Sequence, residues 1–279
     1  MRNKHARAGL SAGNTDEKSD VMKADLDRYA PAAFGGVLTF GGINLSRAES
    51  SLLVRQLGAI QTHRPNVRLM SEGDALDRPR LIRSGWACRV RFLSDGRRQI
   101  LNYYLPGDIM GLSLEPDPVA LAGYASLTRL MTMDIGQLRT LVLDHPDEYP
   151  ELAAACRKMK VHEEYYLLSQ ITRIGRQKAY ERVAHLLLEF HSRLSRTGLT
   201  EGSSFQLPLT QEALADGLGL SAVHVNRTFK LLKRKNLVRV ERATVTLLER
   251  DALAEMCGFR EPDDLLEADT TPERAAVSF

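Results

Sequence analysis

Between Leu209 and Lys235 the chain reads LTQEALADGLGLSAVHVNRTFKLLKRK, and few folds accept that order of residues. At helical period Ala213, Leu214 and Leu218 put small and apolar side chains on one face, after which Gly219 interrupts and Leu220 crosses the corner. A second helix then starts on Ser221, whose hydroxyl can accept from a free N–H of the first turn, and Val225, Phe229 and Leu232 follow at steps of four and three. Its other face is polar and basic: His224, Asn226, Arg227, Lys230, Lys233 and Arg234. Ala215 is small where the second helix crosses the first, and Gly219 supplies the left-handed turn. Two short helices joined this way predict a helix-turn-helix.

The residues after this pair sharpen that reading. Leu237–Val240 and Thr244–Leu248 are β-prone runs separated by Glu241, Arg242 and Ala243, which predicts a two-stranded wing. From Thr172 to Arg250 there are fourteen Lys/Arg against seven Asp/Glu, whereas the whole chain carries a net charge of only +3. The basic surplus therefore sits where phosphates would be neutralised, and the expected partner is double-stranded DNA.

The rest of the chain, 279 residues in all, leaves room for a second domain with its own core. No run approaches the roughly 18 apolar residues of a membrane span, and the first residues lack the apolar core of a signal peptide. No membrane partner and a cytoplasmic location are expected. Cys88, Cys156 and Cys257 are odd in number and far apart, so neither a disulfide framework nor a metal site is expected, and no cofactor. Catalytic signatures are missing too, since no nucleophile elbow, phosphate loop or carboxylate pair stands out. The chain does not read as an enzyme.

Taken in order, residues 1–36 read as a tail with a short helix around Asp20–Tyr29. Ser46 and Glu49 make a capping-box pattern opening a helix through Ala59, with Leu52, Leu53, Gln56 and Leu57 as its stripe. From His63 to Asp134 short β runs alternate with Gly turns: strands at Arg80–Ile82, Trp86–Leu93, Arg98–Leu105 and Leu127–Met133 predict an antiparallel barrel or roll, with Trp86 as a core anchor. A short helix over Gly136–Leu143 precedes a long one over Tyr149–Ile171 without internal Gly or Pro. Its Leu152, Cys156, Met159, Glu163, Tyr166 and Gln170 recur at steps of four and three, the seam of a paired coiled coil, which predicts a homodimer. On this phase Leu167 and Leu168 point away and can cover the β domain. Cys156 reads as a small seam residue, with a redox thiol as the alternative. Ile174-Gly175-Arg176 is the expected hinge, Lys178–Leu194 another amphipathic helix, and Ser195–Ser204 a polar loop.

Three segments in the β region, L-x-x-x-G-W-A-C-R (Leu81–Arg89), S-D-G-R-R-Q-I-L (Ser94–Leu101) and L-P-G-D-I-M-G-L (Leu105–Leu112), precede the long helix, the L-T-Q-E-x-L-A-x-x-L-G-L-S-x-x-H-V-N-R segment and the wing. Over Arg64–Leu248 this order resembles the Crp/Fnr superfamily of bacterial transcription regulators. The resemblance implies an α+β fold. An N-terminal antiparallel β-roll, a cyclic-nucleotide-binding-like jelly roll, precedes a long dimerisation helix and a C-terminal winged helix-turn-helix. The expected division is a tail over 1–36, a sensor-like roll over 37–144, a dimerisation helix over 145–171, the DNA-binding domain over 172–250 and an acidic tail over 251–279. It further implies a homodimer on a two-fold symmetric operator, with RNA polymerase among the partners.

This chain departs from the family in the roll. Cyclic-nucleotide-binding members carry Gly-Glu and, later, Arg-Ser-Ala; here Gly111 is followed by Leu112, and Pro118, Val119 and Ala120 stand at the later positions. The cation and hydroxyl that a cyclic phosphodiester needs are missing. Three scattered cysteines cannot replace the four that hold the iron–sulfur cluster of the oxygen-sensing members. The effector is unknown. In the recognition segment the family's S-R-E-T-x-x-R stands as Ser221-Ala222-Val223-His224-Val225-Asn226-Arg227. Base contacts are expected from Val223, His224, Asn226 and Arg227: Arg227 to guanine, Asn226 to adenine, and Val223 to a thymine methyl. Phosphate contacts are expected from Thr210, Gln211, Ser221, Lys230 and Arg242. The alternative is a small-ligand-binding signalling module with weak DNA binding.

Overall fold

The structure is a computed structural model that describes residues 38–266. The tail over 1–36, the helix around Asp20–Tyr29 and the stretch 267–279 of the acidic tail lie outside the described residues.

A hairpin of β1 (Leu38–Phe40) and β2 (Ile43–Leu45) leads into α1 (Arg47–Gln56). Ser46 caps α1, accepting from Glu49 N at 3.3 Å. The buried Glu49 carboxylate does not return the bond. It accepts instead from the backbone of Glu151 and Leu152 at 3.3 and 2.7 Å, while Ser46 N donates to Glu151 at 2.6 Å. The box is exchanged between two helix starts, which pins α1 to the long helix. β3 (Ile60–His63), β4 (Arg68–Met70), β5 (Arg80–Ser84), β6 (Ala87–Phe92), β7 (Arg98–Tyr104), β8 (Ile109–Met110), β9 (Gly123–Ser126) and β10 (Leu130–Asp134) then form two antiparallel sheets, ordered β3-β10-β5-β8 and β4-β9-β6-β7. This is the antiparallel roll that the turn spacing predicts. The helix expected through Ala59 stops at Gln56, because Gly58 N donates to Asp134 O and β3 must be extended to pair with β10.

α2 (Gly136–Asp144) packs between α1 and the long helix α3 (Pro150–Arg176). Here the sequence expectation needs correcting. Leu152 and Cys156 lie in the apolar core with α1 and α2, and half-buried Met159 packs on the same cluster. Glu163 accepts from Tyr104 Oη and lies 3.8 Å from Arg89, Tyr166 is buried under the Arg193 guanidinium at 4.3 Å, and Gln170 Nε2 donates to Ile100 O at 3.1 Å. The proposed seam thus faces this chain's own roll and α4. The exposed side of α3 carries Arg157, Val161, Glu164, Leu168, Ile171 and Gly175, the same four-three spacing at another phase. Leu168, expected to cover the β domain, is 56% exposed, beside Ile171 at 63% and Val161 at 43%. Cys156 is buried, and burial pushes its thiol up to about 11, which removes the thiolate a redox role needs at neutral pH.

The hinge expected at Ile174-Gly175-Arg176 is helical, and the break falls one residue later at extended Gln177. The reason is the start of α4 (Ala179–Arg196), where Lys178 N donates to Glu181 at 2.7 Å and Arg182 Nε to Gln177 O at 2.8 Å. Nor is Ser195–Ser204 simply a loop: α4 continues to Arg196, then β11 (Thr200–Glu201) and β12 (Ser204–Gln206) join a sheet. The helix-turn-helix is α5 (Gln211–Leu218) and α6 (Ala222–Arg234), and the wing is β13 (Val238–Glu241) with β14 (Thr244–Leu247), giving the sheet order β11-β12-β14-β13. α7 (Arg250–Cys257) comes directly after the wing, and its Leu253 and Cys257 share the core of the helix-turn-helix. Within the acidic stretch after 250 the chain is therefore helical over α7, which packs on α4, and again over short α8 (Pro262–Leu266).

The two domains do not keep separate cores. Trp86, Cys88, Val90, Ile100 and Tyr103 of the roll form one apolar cluster with α4, α5 and α6. Phe190 of α4 receives the rings of Trp86 and Tyr103 edge-on at 4.8 and 5.1 Å. Trp86 anchors a core, as expected, but the core lies between domains.

Candidate nucleic-acid interface

α5 and α6 owe their ends to side chains and one glycine. Thr210 Oγ1 accepts from Ala213 N at 3.1 Å, and Ser221 Oγ from His224 N at 3.2 Å. Gly219 between them takes φ +61°, where a side chain would be strained, and its N–H closes on Ala215 O. Val225, Phe229 and Leu232 are buried against α4 and the wing sheet, and Thr228 is tied back to His224 O at 2.9 Å. This fixes which side of α6 can meet a ligand.

The outward side carries Val223, His224, Asn226, Arg227 and Lys230, all exposed, with Val223 at 70%. Among the described residues the side chains of Asn226, Arg227 and Lys230 have no hydrogen bond or ion pair with the rest of the chain. A helix of this length, about 20 Å at 1.5 Å per residue, fits the major groove of B-form DNA. All four residues expected at base edges are therefore brought together. The phosphate candidates are less uniform. Thr210, Ser221, Lys230 and Arg242 are exposed, and Arg242 projects from the wing turn at φ +55°. Gln211 is half-buried and its side-chain carbonyl oxygen is buried without a partner, which leaves only its amide N–H₂ to donate outward. Lys233, Arg234 and Lys235 extend the cationic strip past Lys230. Sequence reading gave the first two no role, although their position on the polar face was visible.

Behind this surface the roll and α3 grip α5. Tyr103 Oη donates to Ala213 O at 2.9 Å, Arg98 pairs with Asp216 at 2.6 Å, and the amides of Gln99 and Gln170 donate to Gly217 O. Gly217 is helical, and its reason is contact: a Cβ there would collide with Tyr103 Oη. Deeper in, Glu189 of α4 lies between Arg173 of α3 and Arg193, and Arg193 reaches Asp108 of the roll at 2.5 Å. Burial works against the Glu189 charge, but the two guanidinium groups hold its carboxyl below the usual range. His185 Nδ1 accepts from Arg173 at 3.0 Å, and burial, helped by that cation, lowers its pKa to about 4. Asp108 stands in the Pro106-Gly107-Asp108 turn of the roll. It accepts from Leu105 N at 2.6 Å, and its salt bridge to Arg193 was not visible in local spacing.

Residues 181–256 match the Crp-like helix-turn-helix domain. The chain is 30% identical over 200 residues to the transcriptional activatory protein AadR of Rhodopseudomonas palustris, covering 68% of this chain and 79% of that one. It is 27% identical over 199 residues to the nitrogen fixation regulation protein FixK of Rhizobium meliloti, covering 71% and 87%. In fold it is similar to FixK2 from Bradyrhizobium japonicum, with a TM-score of 0.62 at 23% identity over 73% of this chain and 98% of that structure.

Proposed function

Since the chain belongs to the Crp/Fnr superfamily and is a DNA-binding transcription regulator of that type, we propose that it acts as a homodimer that lays two copies of α6 in successive major grooves of a two-fold symmetric operator. The observation that carries this reading is the uncommitted outward side of α6: a guanidinium, an amide and an ammonium with no partner among the described residues stand beside an exposed valine. Arg227 would donate two hydrogen bonds to a guanine, Asn226 pair with an adenine, Val223 meet a thymine methyl, and His224 reach a base or phosphate. Lys230, Thr210, Ser221, Arg242 and the amide of Gln211 would fix register on phosphates. We place the dimer contact on the exposed Val161, Leu168 and Ile171 of α3, since the stripe first expected is buried within the chain.

RNA polymerase as a partner and a cytoplasmic location belong to the same proposal. Among the described residues no helix is long and apolar enough to cross a membrane. No catalytic role is proposed, and the relatives AadR and FixK are regulators. Among the described residues no specific observation favours the small-ligand module with weak DNA binding.

Selection of bound fragments from random DNA tests the reading. The expected product is an inverted repeat whose half-sites lie about one helical turn apart, roughly 10 base pairs. On that operator Arg227→Ala should cost about 1–3 kcal/mol and relax the preference at one base pair. Equal losses on selected and random duplexes would take Arg227 off the base edge.

A further inference from the structure

Beyond residue 256, where the match to the helix-turn-helix domain ends, the chain turns back and fastens onto both long helices. Tyr165 of α3 donates to Arg260 O at 2.6 Å. Glu261 accepts from Ser192 of α4 and from Arg250 at 2.8 Å. Asp263 does most: Lys158 Nζ lies 2.9 Å from it, His162 Nε2 3.1 Å and Arg196 Nη1 3.6 Å. Lys158 and His162 belong to α3, Arg196 to the last turn of α4, so one carboxylate spans the two helices. Burial opposes its charge, but the hydrogen bond from Lys158 and the surrounding cations keep it ionised below the usual carboxylate range.

The position of this tie gives it leverage. α3 turns into α4 at Gln177, and both Lys158 and Arg196 lie about 28 Å from that corner at 1.5 Å per residue. A tie at the open end of a hairpin controls its angle far better than one near the corner, because 1 Å of slack at that radius amounts to only about 2°. α3 carries the proposed dimer face and α4 the helix-turn-helix, so their angle sets where each recognition helix stands.

We propose that Asp263 is a positioning residue for DNA recognition: by closing the open end of the α3–α4 hairpin it fixes the spacing and rotational phase at which the two recognition helices of a dimer meet the duplex. The inference rests on the proposed dimer. Unlike Glu189, Asp263 keeps a 31% exposed side chain, and its removal leaves its cations within reach of water.

The test uses the full chain and duplexes carrying the selected half-site once, or twice at spacings from the optimum to half a helical turn beyond it. Bivalent gain is lost when geometry forbids simultaneous engagement, so the parent protein should lose roughly 10²-fold in affinity across that series. Asp263→Asn should lose less than about tenfold, bind the single half-site as the parent does, and thereby show that its domain is folded. Asp263→Glu should restore the steep profile, and Lys158→Met, which opens the clasp from the other side, should copy Asp263→Asn. Superimposable spacing profiles for Asp263→Asn and the parent overturn the role of Asp263. A parent protein with no preference for paired half-sites overturns the dimeric reading, and this inference with it.

Discussion

His185 shows how a single side chain can carry the pH dependence of the whole assembly. Its ring is buried on Phe259, and Nδ1 accepts from Arg173, so the proton of the neutral ring sits on Nε2. Burial first, and the Arg173 charge second, lower its pKa from 6.5 to about 4. In the unfolded chain the ring takes up a proton near pH 6.5, whereas in the folded chain it does so only near 4. The stability that this neutral ring supports is complete above pH 6.5 and is lost as pH falls toward 4, by up to about 3 kcal/mol. His63 and His162, lowered as well, act in the same direction. Urea unfolding at steps from pH 7 to 4 should show the decline, and His185→Gln should flatten it even if it lowers stability at pH 7. Parallel declines for the two proteins would remove His185 from the account. Nothing around His185 in sequence announces this role: its partners Arg173 and Glu189 could belong to any amphipathic helix surface, and only the corner at Gln177 folds them onto one another. The outward residues of α6 are the opposite case. Val223, Asn226 and Arg227 were legible because the burial of Val225, Phe229 and Leu232, read from spacing alone, fixes what remains outside.

At the scale of the element, α3 carries two stripes of one period, and spacing cannot say which is covered by the chain itself. Leu152, Cys156 and Met159 are the more apolar, which is why they read as the seam, and for the same reason they fill the core with α1 and α2. Glu163, Tyr166 and Gln170 were the warning: polar groups at regular seam positions are here occupied by Tyr104, Arg193 and Ile100 of the same chain. The roll itself was legible wherever a turn glycine separates β runs, as at Ser94-Asp95-Gly96 between β6 and β7. β1 to β4, β8, β9, β11 and β12 were not, because they are two to four residues long and owe their extended form to a partner strand; Ser204 to Gln206 pair with Thr246 to Thr244. The two stripes of α3 make opposite predictions. Leu168→Asp, on the exposed side, should yield a folded monomer by light scattering with an unchanged circular dichroism spectrum. Leu152→Ala, in the core, should cost about 2–5 kcal/mol of stability while the folded fraction keeps its dimeric mass. A Leu168→Asp protein that remains dimeric would move the interface elsewhere.

Over the whole molecule the charge count read from sequence proves to be two populations. Of the basic residues between Thr172 and Arg250, Arg173 and Arg193 are buried in the cluster around Glu189, Arg196 and Arg250 hold Asp263 and Glu261, and Arg239 leans on Glu241 at 3.9 Å. None of these adds to the free cationic surface. What remains outward near the groove is Arg227, Lys230, Lys233, Arg234, Lys235 and Arg242. With Arg227 assigned to a base, between about half and all of the others can neutralise phosphates. For two protomers that gives a slope of log affinity against log salt of roughly −4 to −9, and about half of that on a single half-site. Lys230→Ala removes one such contact from each protomer, so the slope on the paired operator should become shallower by roughly 2, while the ranking of operator variants stays as it was. Titrations between about 50 and 300 mM salt would read both quantities at once. A loss concentrated at one base pair would move Lys230 from the phosphates to a base edge. An unaltered slope would mean that the strip beyond Arg227 stands clear of the duplex, and the docking of α6 in the groove would have to be turned to bring its amino-terminal end closer and its carboxy-terminal end away.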